Sequence, residues 1–107
     1  MTLPIQVTFR DFPHSPALEQ VIKEKASKLE SLFDKISYCR VVIGIPHRHH
    51  HKGHLYQVNL DIGVPGKDIV VQRRSGRLAA KQDAYSAIRD AFEAGKRQLQ
   101  AYLSRRH

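Results

Sequence analysis

A histidine-rich segment, HRHHHKGH at residues 47–54, is the first part of the chain whose residue types could do chemistry. Imidazole can ligate a metal ion, exchange a proton near neutral pH or, once protonated, contact an anion. A structural zinc site needs about four ligands that converge in a tetrahedron. Here the candidates come from one short segment without a neighbouring cysteine, and Gly53 disfavours the helical turn that would pair His50 with His54. We therefore expect no metal ion at this segment.

Basic side chains are the second candidate. The chain has 18 Lys and Arg against 10 Asp and Glu, which gives a net charge of +8 before any histidine titrates. Residues 67–77 carry four basic side chains against one acidic, and residues 81–107 carry six against three. Residues 16–35 balance four lysines against four acids. The sequence therefore predicts a positive patch in the C-terminal half, and its natural partners are polyanions.

Folded RNA suits these residues best. Aromatic residues make up 7% of the chain and tryptophan is absent, so stacking of unpaired bases on an exposed sheet is poorly supported, whereas contact with phosphates is well supported. We expect an RNA partner and no DNA. The histidine-rich segment is either merely solvated or an auxiliary RNA-binding loop acting through Arg48, His49, His50, His51 and Lys52. The predicted RNA-binding residues are Lys23, Lys28, Arg73, Arg74, Arg77, Lys81, Arg89, Lys96, Arg97, Arg105 and Arg106.

Catalysis and cofactors are not expected. Cys39 is the single cysteine and lies at an inward position of a predicted strand, as an inert core thiol does. The sequence GVPGKD at residues 63–68 lacks the spacing of a Walker phosphate loop and joins two strands. No secretory signal and no apolar segment near the ~20 residues that span a bilayer are present, so we expect a cytoplasmic protein without membrane contact.

Four segments alternate apolar and polar residues, as strands with one buried face do. They are LPIQVTFR at 3–10, SYCRVVIGI at 37–45, HLYQVNLDIGV at 54–64 and KDIVVQRR at 67–74. Proline at 46 ends the second strand, and the Pro-Gly pair at 65 and 66 supplies a turn. We predict that the last three strands form a meander.

Two other segments repeat apolar residues every three or four positions, as amphipathic helices do. The first starts after Ser15, a capping residue, with Pro16 at its first position, and its apolar stripe extends to Ile36. The second starts at about Asp83 and contains Gly95, where a missing side chain would allow a close approach to a neighbouring element. The predicted order is β-α-β-β-β-α.

This order predicts an α+β fold, a two-layer sandwich in which both helices pack on one face of a four-stranded mixed sheet. The first two strands should be parallel through a right-handed crossover, and the others antiparallel. The arrangement is similar to that of double-stranded-RNA-binding domains. At 107 residues the chain is expected to be a single domain spanning 1–107.

Two stretches resemble the ribosome hibernation promoting factor family, also called ribosome-associated inhibitors or sigma-54 modulation proteins. KLESLFDKI at 28–36 is similar to the end of that family's first helix, and DAYSAIRDAFEAGKRQL at 83–99 is similar to its second-helix signature. Some relatives have lysines where this chain has Ser86 and Ala94.

The resemblance implies a factor that binds small-subunit rRNA in the channel for tRNA and mRNA and blocks translation by occupancy, in stress or stationary phase. It implies a short form, without the C-terminal dimerisation domain of long members. It leaves open whether a separate ribosome modulation factor is a further partner and whether ribosomes are paired or silenced singly.

Two alternatives of other classes stay open at this point. One is a metal-binding domain that uses the histidine-rich segment. The other is a general double-stranded RNA-binding module, favoured by the βββα part of the predicted order.

Overall fold

The computed structural model describes residues 4–11, 13–44, 56–74 and 81–105, with the side chains of all of these except 81–83 and 105. Two helices and four strands lie within this part of the chain, and the predicted β-α-β-β-β-α order is confirmed. The elements are β1 (Ile5–Arg10), α1 (Pro16–Leu32), β2 (Tyr38–Gly44), β3 (Gln57–Val64), β4 (Lys67–Arg74) and α2 (Lys81–Arg105).

The four strands form one mixed sheet in the order β1-β2-β3-β4. β1 and β2 are parallel, as predicted for a crossover through α1, and the β2–β3 and β3–β4 pairs are antiparallel. The Pro-Gly turn joins β3 to β4, and Gly66 has a φ of 77°, a left-handed conformation that glycine adopts without steric cost. The sheet is therefore the predicted meander with one parallel strand added at its edge.

The hydrophobic core lies between one face of this sheet and the two helices. Val7, Val41, Leu60 and Val71 stand opposite one another across the four strands and point toward the helices. All of these except Val7 are fully or almost fully buried, because α2 packs on β3 and β4 while α1 packs on β1 and α2. The other face of the sheet has no helix over it among the described residues, and we call it the open face.

Helix α1 starts as predicted and ends one turn earlier. The Ser15 hydroxyl accepts a hydrogen bond from the Leu18 N–H at 3.2 Å, and Pro16 is the first helical residue. Phe33 is extended and donates its N–H to the Leu29 carbonyl at 2.9 Å. The apolar stripe suggested a helix to Ile36, but Phe33 and Ile36 pack against the core from the segment that follows the helix. Apolar spacing alone could not distinguish these two geometries.

Helix α2 begins at Lys81, two residues before the predicted start, and its contact with the sheet is close at Gly95. A Cβ added there would lie 3.0 Å from Leu60 Cδ2 and 3.1 Å from Ile62 Cδ1. These distances are tighter than ordinary van der Waals contact. The predicted close approach at this glycine is confirmed, and β3 is the element that it approaches.

We expect Gly95→Val to lower the free energy of unfolding by about 2 kcal/mol, because overpacking a core costs ~1–3 kcal/mol and outweighs the few tenths gained in helix propensity. Urea denaturation followed by circular dichroism measures this change. Glu93→Val, at an exposed position of the same helix, is the matched control and should cost about 0.5 kcal/mol or less. Equal effects of the two substitutions would contradict the close packing.

Candidate nucleic-acid interface

The orientation of α2 follows from the three consecutive residues around Gly95. Successive helical residues are about 100° apart, so Ala94 and Lys96 lie on opposite flanks of a helix whose Gly95 faces the sheet. Ala94 is 2% exposed although it does not face the sheet, and α1 is the other described element in contact with α2. The Ala94 flank therefore faces α1. Lys96 is exposed on the flank that looks away from α1, along the edge strand β4.

Arg89 shares this outer flank with Lys96. The two residues are seven positions apart, about 20° short of two full turns, and both are exposed. Ala87, by the same geometry, lies on the α1 side with Ala94 and is buried. The sequence thus places small apolar residues toward α1 and long cationic residues toward β4.

β4 adds two cations beside that flank. Lys67 and Arg73 alternate with the buried Ile69 and Val71. Their side chains therefore project from the helix-facing side of β4, one at each end of the strand. The Lys67 ammonium lies 6.0 Å from the ring centroid of Tyr102 on α2, and the Tyr102 hydroxyl donates a hydrogen bond to the Pro65 carbonyl. These contacts place Lys67 beside the C-terminal part of α2.

We call Lys67, Arg73, Arg89 and Lys96 the α2–β4 surface. Lys67 was not among the predicted binding residues, although its alternation with the buried β4 residues could have placed it there. An exposed ion pair reduces the positive charge only slightly: Arg89 Nε lies 3.7 Å from Asp90 Oδ1, and both side chains are more than half exposed. The surface is therefore a cationic strip that water and salt can reach.

Arg97, also predicted, lies on another part of α2. It is about 200° around the helix from Gly95, so it lies on the crest farthest from the sheet. Glu93 and Asp90 share this crest. The predicted row of Arg89, Lys96 and Arg97 is therefore divided between the outer flank and a crest of mixed charge.

The two predicted lysines of α1 do not come together. Lys23 and Lys28 are five positions apart, about 140° around the helix, and both are exposed. Lys23 Nζ is 2.9 Å from Glu19 Oε2, and Glu19 also contacts His14. Hydrogen bonds from Lys23 and then His14 lower the pKa of Glu19, so this carboxylate stays charged and offsets Lys23.

Arg74 lies on the opposite side of the sheet from its neighbour Arg73, because successive strand residues alternate faces. Its guanidinium donates a hydrogen bond from Nε to Gln57 Oε1 at 3.1 Å on the open face. The remaining predicted residues, which are Arg48, His49, His50, His51, Lys52, Arg77 and Arg106, lie outside the described part of the chain, as do the side chains of Lys81 and Arg105.

A second polar cluster lies on the open face and was not among the predicted sites. The Tyr38 ring covers Gly63 on β3, where a Cβ would collide with it. Its hydroxyl donates to Asp68 Oδ1 at 2.7 Å, and Asp61 Oδ1 is 3.3 Å away. The hydrogen bond to Asp68, with desolvation and the charge of Asp61, raises the pKa of Tyr38 to about 12.

Arg40 completes this cluster. Its guanidinium carbon is 5.3 Å from the Tyr38 ring centroid, and its Nη1 donates to Asp61 Oδ2 at 3.4 Å. Two groups thus orient one exposed arginine. The sequence indicates this cluster, because Tyr38 and Arg40 alternate with the buried Cys39 and Val41. The low aromatic content of the chain, taken alone, argued against a role for the open face.

The described part of the chain has one cysteine, which is buried, and no cluster of metal-ligating side chains. Burial, and to a lesser extent the charge of Asp61, raise the pKa of the Cys39 thiol to about 12, so this thiol is not a ready nucleophile. No group of three or more His, Cys, Asp or Glu side chains comes together within residues 4–11, 13–44, 56–74 and 84–104.

Neither described helix is long and apolar enough to cross a membrane.

The fold and its basic strip define a small α+β protein with a cationic helix side and a polar open face. A family model described as sigma-54 modulation protein / S30EA ribosomal protein matches residues 5–107, so the chain belongs to this family. Its members are ribosome-associated proteins, and the family is not known as an enzyme family. The resemblance seen in the two helices is confirmed.

Solved structures share the fold, and two of them illustrate it. A ribosomal subunit interface protein from Coxiella burnetii superposes with a TM-score of 0.77 at 22% sequence identity, over 95% of this chain and 99% of that chain. The N-terminal domain of Protein Y from Thermus thermophilus superposes with a TM-score of 0.69 at 16% identity, with the same coverage. A sequence comparison with curated proteins finds no match.

We expect Gly63→Ala to lower the melting temperature by about 4 °C or more, because the new methyl group must push the Tyr38 ring off β3. The same substitution in a Tyr38→Ala background should be neutral or stabilising, since alanine is then the better strand residue. Differential scanning calorimetry of the four proteins measures the coupling. An equal loss in both backgrounds would contradict the observed ring position.

Proposed function

We propose that this protein binds rRNA of the small ribosomal subunit through the α2–β4 surface, in the channel that tRNA and mRNA use. It blocks translation there by occupancy, in the cytoplasm of stressed or stationary-phase bacteria. The observation that carries the RNA-binding part is the convergence of cations from α2 and β4 on one flank. Membership of a ribosome-associated family supports the choice of the ribosome.

The geometry of the strip favours contact with phosphates. Arg89 and Lys96 are about 10 Å apart along α2, and Lys67 and Arg73 are about 20 Å apart along β4. Two cationic rows on neighbouring elements can follow a sugar–phosphate backbone, and each phosphate that they neutralise releases bound counterions. Tyr85, at 36% exposure, is the exposed aromatic side chain that the described part of α2 offers, so shape and charge dominate recognition there.

The other predicted basic residues have secondary roles in this proposal. Arg97 on the crest and Lys28 on α1 add long-range attraction. Lys23 contributes less because Glu19 pairs with it. The histidine-rich segment at 47–54, through Arg48 to Lys52, is an auxiliary contact that strengthens as imidazole protonates below its usual pKa of about 6.5.

Sedimentation with purified small subunits tests the proposal. We expect wild-type protein to migrate with the subunits at low salt, and Arg89→Glu with Lys96→Glu to bind roughly a hundredfold more weakly, because two favourable phosphate contacts become repulsive. Excess plain duplex RNA should not displace the wild-type protein.

The matched control is Arg10→Glu with Lys35→Glu, which changes the net charge equally at two exposed positions outside the strip. This control should keep most of its affinity. Wild-type protein that stays at the top of the gradient would refute the proposal. An equal loss in both double variants would refute the α2–β4 surface as the contact.

Lys67 provides a second test of the α2–β4 surface, because it belongs to that surface but was not among the binding residues predicted from the sequence. We expect Lys67→Gln to weaken subunit binding and to reduce the magnitude of the slope of log affinity against log salt by about one, as the loss of one phosphate contact does. Lys35→Gln removes the same charge elsewhere and should leave the slope unchanged. An unchanged slope for Lys67→Gln would exclude Lys67 from the contact.

A further inference from the structure

The open face of the sheet carries a shallow depression that takes no part in the proposed RNA contact through the α2–β4 surface. Its volume is about 420 Å³, and it spans the three strands β2, β3 and β4. The lining residues are Arg40, Val42, Asn59, Asp61, Val70 and Gln72. Val70 is 63% exposed, a high value for a large aliphatic side chain in a strand.

The lining combines three kinds of group that together suit a nucleotide. Val42 and Val70 give apolar surface for a base or ribose, and Asn59 and Gln72, directly opposite in the strand register, give amides for a base edge. Arg40 gives a planar cation. Guanidinium planes both stack on unpaired bases and bind phosphate through paired N–H groups.

Arg40 is held ready for this role. Asp61 accepts one of its N–H groups, and the Tyr38 ring supports it from a second side. Tyr38 is itself fixed by Asp68 and by its position over Gly63. An arginine oriented in advance loses less conformational entropy when a ligand binds, which is the usual advantage of a preorganised site.

Charge on this face favours an anion over a peptide. Among the described residues, the open face carries three arginines, Arg10, Arg40 and Arg74, and two carboxylates, Asp61 and Asp68. Both carboxylates are engaged with Tyr38, and Asp61 also with Arg40, whereas Arg74 is hydrogen-bonded to the neutral Gln57. A protein-binding surface would more commonly have an apolar centre depleted in charge, and Val70 is the one exposed large aliphatic side chain among the described residues of the open face.

We propose that this depression binds one unpaired nucleotide, with its base in the depression on the Arg40 guanidinium and the amides of Asn59 and Gln72 at the base edge. The choice of RNA as the source of that nucleotide rests on the proposed function, but the site does not depend on the α2–β4 surface. The protein then has two RNA contacts on opposite sides of its sheet, one for phosphates and one for an unpaired base.

Nuclear magnetic resonance titration with unstructured RNA pentamers of A, C or U tests the site. We expect shifts at the side-chain amides of Asn59 and Gln72 and at Arg40 Nε–H. Arg40→Gln should weaken pentamer binding about tenfold, because one good planar contact is lost. Arg40→Lys should not restore it, since an ammonium keeps the charge and lacks the plane.

Arg10→Gln is the matched control, because it removes the same charge from the same face outside the depression. It should change pentamer affinity by less than about twofold. Shifts confined to the α2–β4 surface, no binding at millimolar pentamer, or equal losses for Arg40→Gln and Arg10→Gln would each overturn the site. The ribosome-binding proposal is tested separately, by cosedimentation. A failure of the nucleotide site can therefore be distinguished from a failure of ribosome binding.

Discussion

Close packing of α2 on β3 at Gly95 is the contact on which the α2–β4 surface depends. Leu60 and Ile62 lie so close to this point that even a Cβ would require them to shift, so the tight contact favours the helix rotation that turns Gly95 toward the sheet. That rotation sends Ala94 toward α1 and Lys96 toward the β4 edge. A helix of 25 residues keeps this orientation over its length, which carries Arg89 to the same flank two turns earlier.

Alternation in the strands is the second constraint, and it separates residues that look equivalent in the sequence. Arg73 and Arg74 are neighbours, yet one joins the helix side and the other joins the open face. Tyr38 and Arg40 reach the open face because Cys39 and Val41 are needed in the core. The alternation of buried and exposed strand residues therefore distributes the polar and basic side chains over two surfaces.

The sequence predicted the elements well because each strand has one apolar face and each helix one apolar stripe. It overestimated α1 by one turn, since Phe33 reaches the core equally well from an extended segment. The candidate site was harder to predict. Counting charge by region located the excess of positive charge, with Lys67 included, but the predicted binding residues grouped Arg74 with Arg73 and left out Lys67, whose position depends on the alternation of strand residues. Tyr38 was passed over because total aromatic content does not tell where a single ring lies.

Two contacts on opposite sides of the sheet limit what the nucleic acid can be. The Cα trace spans 19 Å even across its smallest extent, so one duplex lying on the helix side cannot also fill the depression on the open face. Both surfaces can be occupied together by two different RNA segments, one presenting phosphates and the other an unpaired base, or by one strand that passes around the β4 edge. An isolated duplex offers neither arrangement, because its bases are paired and stacked. Simultaneous occupancy would therefore favour a folded RNA with unpaired segments over a general duplex-binding role, independently of family membership.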